Sequence, residues 1–280
     1  MHTPSLTLLS LCALSAALPA AIVQRADYAL GEAGSISATQ PYTPLVDSIG
    51  GNNIPNWNTS ATKTSVITTG LAAPGSTAAL LVSGNAGTGG TWFGGTQNGG
   101  SGYTSNWALD IYLRPDATGG TFLGATDGNG GTQTGLRFWA TNTGLSGTSL
   151  GGNNLSSGTN YLLLSNGSGF LGNTTSTYTA GTWVRLSIIN YNGTVNYYLN
   201  ESLQDSAATD GFLNDIRLGA GYFAAAGSNG AFDEMRIWDF DHTQDSLADV
   251  ETAVFTPVPE PSSSALIALG ALGLIARRRR

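Results

Sequence analysis

Short runs of strictly alternating residues, separated by glycine-rich stretches, are the feature that most constrains the fold of this chain. In Trp107–Leu113, Trp107, Leu109, Ile111 and Leu113 fall on one face, while Asp110 and Arg114 fall on the other. Val184, Leu186 and Ile188 alternate with Arg185 and Ser187. Val195, Tyr197 and Leu199 alternate with Asn196, Tyr198 and Asn200, and Leu136 and Phe138 with Arg137 and Trp139. A period of two with one apolar face is the signature of half-buried β-strands. Asn192-Gly193 separates two of these runs, and Asn-Gly in that position specifies a two-residue hairpin. Glycine supplies 39 of 280 residues without a Gly-X-Y period, so its clusters read as turns and collagen is excluded. Asp245–Ala253 is the segment read as a short helix. The interior has the length of one all-β domain and predicts an antiparallel two-sheet sandwich of the jelly-roll type.

The two ends have a different character. Leu6–Ala17 is mostly Leu, Ala and Ser, with small residues at Ala20 and Ala21, which predicts a signal peptide over residues 1–21. The preceding Met-His-Thr-Pro-Ser carries no Lys or Arg, an off-pattern feature. Leu11 before Cys12 does not suit lipidation. Removal of the leader takes Cys12 with it, leaving no thiol for disulfide chemistry. At the other end Pro259-Glu260-Pro261 precedes an uncharged run, Ala265–Ala276, and then Arg277, Arg278, Arg279 and Arg280. As a helix that run spans roughly 18 Å, short of a hydrocarbon core of about 30 Å. It suits a transient pause in the inner membrane with the arginines on the cytoplasmic side. This order of parts resembles the PEP-CTERM sorting signal of Gram-negative bacteria. The resemblance implies an exosortase and the secretion machinery as partners, a sorting segment over 256–280, and a secreted or cell-surface location.

Between Ile22 and Val258, seventeen acids face seven bases, a net charge of −10. An acidic domain without a basic cluster is a poor nucleic-acid binder. The segment Gly181–Leu203 resembles the central hairpin of laminin-G-like, concanavalin A-like jelly rolls, with Asn200-Glu201 where the family carries Asn-Gly or Asp-Gly. Phe232–Leu247 resembles that family's closing strand, and Trp107–Pro115 an early strand. The three occur in the family's order, which implies such a domain over residues 22–255.

For chemistry, the family-16 glycoside hydrolases of this general fold carry two Glu flanking an Asp on one strand, and retaining hydrolysis needs carboxyl groups about 5 Å apart. No Glu-x-Asp-x-x-Glu run occurs here. Asp233-Glu234 with Asp239 and Asp241 is the nearest substitute, and simple alternation puts Asp233 and Glu234 on opposite faces. His242 is the histidine left after the leader, and no Gly-x-Ser-x-Gly elbow accompanies it. The reading is therefore non-catalytic. Structural calcium is considered at Asp233, where related jelly rolls often place a ligand, and at Asp127 with Asn129 in a glycine-rich turn. Trp57, Trp92, Phe93, Tyr103, Trp139, Tyr191 and Tyr198 lie near turns or opposite apolar faces. Of these, Trp92, Trp139 and Tyr198 are the candidates for stacking on extracellular polysaccharide. Two alternatives stand beside a polysaccharide-binding module: a structural or adhesive matrix protein without a discrete ligand, and a hydrolase whose carboxylates are unrecognised.

Overall fold

The computed structural model describes residues 22–30, 47–49, 54, 56–58, 64–68, 70–83, 91–96, 102–115, 121–126, 136–141, 155–165, 170–171, 176–208, 211, 213, 215–218 and 230–256. These residues form antiparallel strands and one helix. The strands are β1 (Val23–Tyr28), β2 (Asn56–Asn58), β3 (Thr64–Thr68), β4 (Ala79–Ser83), β5 (Thr91–Thr96), β6 (Trp107–Pro115), β7 (Thr121–Thr126) and β8 (Arg137–Thr141). They continue with β9 (Tyr161–Ser165), β10 (Phe170–Leu171), β11 (Val184–Tyr191), β12 (Thr194–Leu199), β13 (Ser202–Ala208), β14 (Asp215–Leu218) and β15 (Gly230–Asp239), followed by helix α1 (Leu247–Phe255).

Two sheets result. An eight-stranded sheet runs β13-β12-β11-β6-β15-β4-β3, with β1 also paired to β15; a seven-stranded sheet runs β10-β9-β8-β7-β14-β5-β2. One long edge of β15 is shared: β4 pairs with Gly230–Phe232, and β1 pairs with Met235–Asp239. The alternation seen in the sequence selects the buried faces. Trp107, Leu109, Ile111 and Leu113 of β6, Val184, Leu186 and Ile188 of β11, and Val195, Tyr197 and Leu199 of β12 meet Leu162 and Leu164 of β9 and Ile216 and Leu218 of β14 in one core. Each large side chain buried there contributes roughly 1.5–3 kcal/mol. Tyr197 joins the layers covalently distant from each other: its hydroxyl donates to the Leu162 carbonyl at 2.7 Å, and burial raises its pKa well above the ordinary value.

The hairpin between β11 and β12 turns at Asn192 (φ 49°) and Gly193 (φ 74°), as Asn-Gly requires. The next hairpin turns at Asn200 (φ 47°) and Glu201 (φ 66°) without a glycine. Two local bonds hold it in this left-handed conformation. The Asn200 carboxamide oxygen accepts from the Arg185 amide at 3.0 Å, and Glu201 pairs with the Arg185 guanidinium at 2.8 Å. Helix α1 starts and ends two residues later than the sequence pattern indicates. Ser246 and Asp249 form a reciprocal capping box that fixes the start. Asp245 lies outside the helix, accepting from the Asp241 amide. Residues 1–21 and 257–280, with the expected leader and sorting helix, lie outside the described residues.

Candidate functional site

The outer face of the eight-stranded sheet is closed by α1. One cross-strand row on this face reads Asp27, Arg236, Asp110, Ser187, Tyr198 and Leu203, from β1 through β15, β6, β11 and β12 to β13. A neighbouring apolar row, Trp238, Ala108 and Ile189, packs with Tyr198 and Phe240 against Val250 and Val254 of the helix. Arg185 fastens the helix end. Its Nε donates to both Asp110 carboxylate oxygens at 3.0 and 3.1 Å, and its Nη2 donates to Asp110 at 3.0 Å and to the Val254 carbonyl at 2.7 Å. Its Nη1 reaches Glu201 at 2.8 Å and the Phe255 carbonyl at 3.0 Å. A cation on the last carbonyls of a helix satisfies acceptors that have no partner within the helix. Asp110 is fully buried and also accepts from the Ser187 hydroxyl at 2.6 Å.

This packing corrects one sequence expectation. Tyr198 is only 3% exposed, because α1 lies over it: its ring meets Phe255 edge-on at 5.2 Å, and its hydroxyl donates to Glu251. It is not a surface stacking platform. Two other aromatics singled out by sequence also have packing roles. Tyr103 is buried and bridges to Leu213, while the Tyr191 hydroxyl donates to the carbonyls of His242 and Asp245.

The acids on β15 differ from the expectation of simple alternation. Register shifts between Asp233 and Arg236, and Glu234 takes a left-handed conformation at φ 50°. This β-bulge removes the alternation. Asp233 and Arg236 pair with Tyr112 and Asp110, two positions apart on β6, so both belong to the outer face, and Glu234 turns to meet Arg236 there at 2.6 Å. Burial pushes the Glu234 carboxyl up to about 7 despite the opposing Arg236 charge; the Asp233 and Asp27 charges add to the rise. The fully buried Asp233 accepts from the Ala73 amide at 2.9 Å, in the gap between the segments where β4 and β1 pair with β15. Its carboxylate thus ties the chain at Ala73 across an interrupted sheet edge. Asp127 and Asn129, the other residues considered for calcium, lie outside the described residues. Among the described residues no group of three or more His, Cys, Asp or Glu is placed to hold a metal ion.

The seven-stranded sheet has no described helix against its outer face. Its core side is marked by Leu162, Leu164, Ala140, Ile216 and Leu218. Trp139 alternates with Ala140 and pairs in register with Leu163 and Thr121, on the opposite face. Phe93 pairs with the core residue Leu218, so the adjacent Trp92 also takes a position on the outer face, in register with Trp57. Trp92 and Trp57 are paired on β5 and β2, and Trp139 lies on β8 on the same face of the sheet. Trp139 and Trp92 are three strand spacings apart, about 14 Å. At the β9 end this face is closed over: the Ser156 amide donates to the Tyr161 hydroxyl, and Leu163 is 1% exposed. Sequence identified Trp92 and Trp139 but not their shared face, which depends on strand order.

A family model for the PEP-CTERM protein-sorting motif matches residues 257–280, directly after the helix that Arg185 fastens. The motif implies processing by an exosortase and sorting to the cell surface or the medium. No curated protein matches the sequence. Among solved structures, domain 4 of AbnA, a GH43 extracellular arabinanase from Geobacillus stearothermophilus in complex with arabinotriose, is similar with a TM-score of 0.50. Identity is 17%, covering 81% of this chain and 97% of that domain. An arabinofuranosidase complexed with arabinofuranosyl-α-1,2-xylobiose follows at 0.47, with 14% identity over 76% of this chain and 50% of that one. The binding domain of Botulinum neurotoxin serotype G gives 0.46, with 12% identity over 83% and 51%. The similarity to the arabinanase domain defines a fold class, a mostly antiparallel β-sandwich. The chain is such a sandwich followed by a C-terminal PEP-CTERM motif.

Proposed function

We propose that this protein is a non-catalytic polysaccharide-binding module of the concanavalin A-like type. An exosortase releases it to the surface or extracellular matrix of a Gram-negative bacterium after transient retention in the inner membrane. The observation that carries the reading is the placement of three tryptophan positions, Trp139 on β8 and the pair Trp92 and Trp57 on β5 and β2, on the outer face of the seven-stranded sheet. Aromatic rings spaced along a sheet suit an extended sugar chain, whose C–H faces stack on them. The known complex of the similar arabinanase domain with arabinotriose agrees with a sugar ligand.

The buried acids support a non-catalytic role, since each has a structural donor. Asp110 is held by Arg185, Glu234 by Arg236, and Asp233 accepts from the Ala73 amide. A raised carboxyl pKa such as that of Glu234 marks many active sites. Here the group is nearly enclosed and shares its charge with a neighbouring guanidinium.

Affinity electrophoresis of the secreted protein through gels containing single polysaccharides tests the reading. At least one gel should retard it, and Trp92→Ala or Trp139→Ala should weaken that binding by about 1–2 kcal/mol, several-fold to thirty-fold. No reducing ends should be released. Passage through every gel with a normal melting transition would favour the matrix protein without a discrete ligand. Sugar release abolished by Glu234→Gln would establish the hydrolase instead. For sorting, Glu260→Ala or loss of Arg277–Arg280 should leave uncleaved chain in the membrane fraction. A secreted product still ending at Arg280 would refute processing.

A further inference from the structure

We infer that the polysaccharide bound by this face is anionic, with its carboxylate or sulfate groups read by Arg137 and Arg217. The inference rests on the proposed function of the same face and names the ligand class. The row next to the tryptophans reads Ser165, Arg137, Gly124, Arg217 and Gly94, from β9 through β8, β7 and β14 to β5. Arg137 alternates with Phe138, which pairs with the core residue Leu164. Arg217 lies between Ile216 and Leu218, both in the core. Both arginines therefore take positions on the outer face, one row from Trp139 and Trp92.

Three features of this row point to an anionic chain. First, it collects two of the seven basic residues of a domain with net charge −10. Second, the row contains no carboxylate. Asp215 lies in the next row, on the side away from the tryptophans and in register with Thr96 and Thr126, so the two rows together keep a net positive charge. Third, Arg217 has glycine on both neighbouring strands, Gly94 and Gly124. Without Cβ atoms on either side, a ligand can approach the sheet backbone between the arginines.

The spacing narrows the class further. Arg137 and Arg217 are two strand spacings apart, about 10 Å. Duplex nucleic acid carries a charge every 1.7 Å or so and would meet a domain of overall negative charge. A glycan with one acid group per sugar or per repeat presents sparse charges between apolar C–H faces. Guanidinium forks hold such oxyanions in bidentate fashion, while the adjacent tryptophan positions take the sugar rings.

The test is affinity electrophoresis of the secreted protein against polygalacturonate, its methyl-esterified form, dextran sulfate and neutral arabinan. Polygalacturonate should retard the protein, and retardation should fall with added sodium chloride as screening grows. Methyl esterification, which keeps the sugar backbone and removes the charge, should abolish most of the effect. Arg137→Gln and Arg217→Gln should each weaken binding roughly tenfold. Arg25→Gln, on the other sheet, should change nothing. Retardation by dextran sulfate alone would place the acid as sulfate, by polygalacturonate alone as carboxylate; either supports the inference. If an arginine variant does not fold, the ester and salt comparisons on the unaltered protein still decide. Arabinan binding that exceeds both anionic glycans and ignores salt would overturn the inference while leaving glycan binding intact. Passage through all four gels would overturn both.

Discussion

Replacing Arg185 by Met should cost more stability than any exposed ion pair could provide. All five guanidinium N–H groups are engaged, with Asp110, Glu201 and the Val254 and Phe255 carbonyls. Methionine removes the cation and leaves Asp110, 0% exposed, with the Ser187 hydroxyl alone among these side-chain partners. Stranding one member of a buried pair costs about 3–5 kcal/mol, whereas replacing both members with uncharged groups is far milder. Domains of this kind are stable by only about 5–15 kcal/mol, so the single change consumes much of the total. The double variant Asp110→Asn/Arg185→Met should recover about half of the loss, because the residual penalty is unpaired helix carbonyls rather than an isolated charge. The deficit of the single variant should also depend on pH. Burial already raises the Asp110 pKa, and Arg185 opposes that rise. Without the guanidinium the folded-state pKa moves further above the unfolded value. The folded form then binds the proton more tightly, and stability falls as pH rises through the window between the two values. Urea denaturation of the three proteins at pH 4.5 and pH 7, followed by near-UV circular dichroism, measures these differences. A loss below about 1 kcal/mol in Arg185→Met, or a double variant no more stable than the single one, would refute the reasoning.

Three further outcomes follow from individual contacts. Gly193→Val should destabilise the β11–β12 hairpin by roughly 1–2 kcal/mol from its left-handed backbone alone, since nothing lies within 4 Å of an added Cβ; the urea midpoint reads it. Tyr198→Phe should cost about 1 kcal/mol through the lost bond to Glu251 and leave glycan retardation unchanged, because the ring is enclosed by α1; weakened glycan binding would count against that placement. Glu234 ionises at about 7 in the fold against an ordinary 4.5, so the folded form holds its proton longer and the wild-type protein should lose stability as pH rises between those values; Glu234→Gln should flatten that part of a stability–pH curve.

Strand identity was legible in the sequence because one-sided burial writes itself as alternation. The apolar faces of Trp107–Leu113, Val184–Ile188 and Val195–Leu199 all turn into the core. Asn192-Gly193 was equally legible, since its turn is encoded in two residues. The bulge at Glu234 was not. Nothing local distinguishes a glutamate in a left-handed conformation, which is held by its bond to Arg236 and by pairing on both sides of β15. Tyr198 was misread for a related reason. It occupies the polar phase of β12, and only the return of a helix from some fifty residues onward turns that phase into a second core. The same return explains Arg185, whose sequence position marks an outward charge on a strand and whose partners lie on β6, at the β12–β13 turn and at the end of α1.

The two outer faces have thereby opposite fates, and the charges follow them. On the eight-stranded sheet, acids and bases alternate along Asp27, Arg236 and Asp110, with Arg185 beside them, and these pairs serve the fold. That face holds the domain's last helix in place, so the sorting motif begins two residues beyond a fixed point, at residue 257. The seven-stranded sheet carries the complementary pattern. Away from the closed β9 end, its outer positions combine tryptophan, arginine and glycine with one acid among the described residues, Asp215. Under the proposed function, the eight-stranded sheet is consolidated by paired charges and α1, and the ligand meets the opposite sheet, where Arg137 and Arg217 share a row.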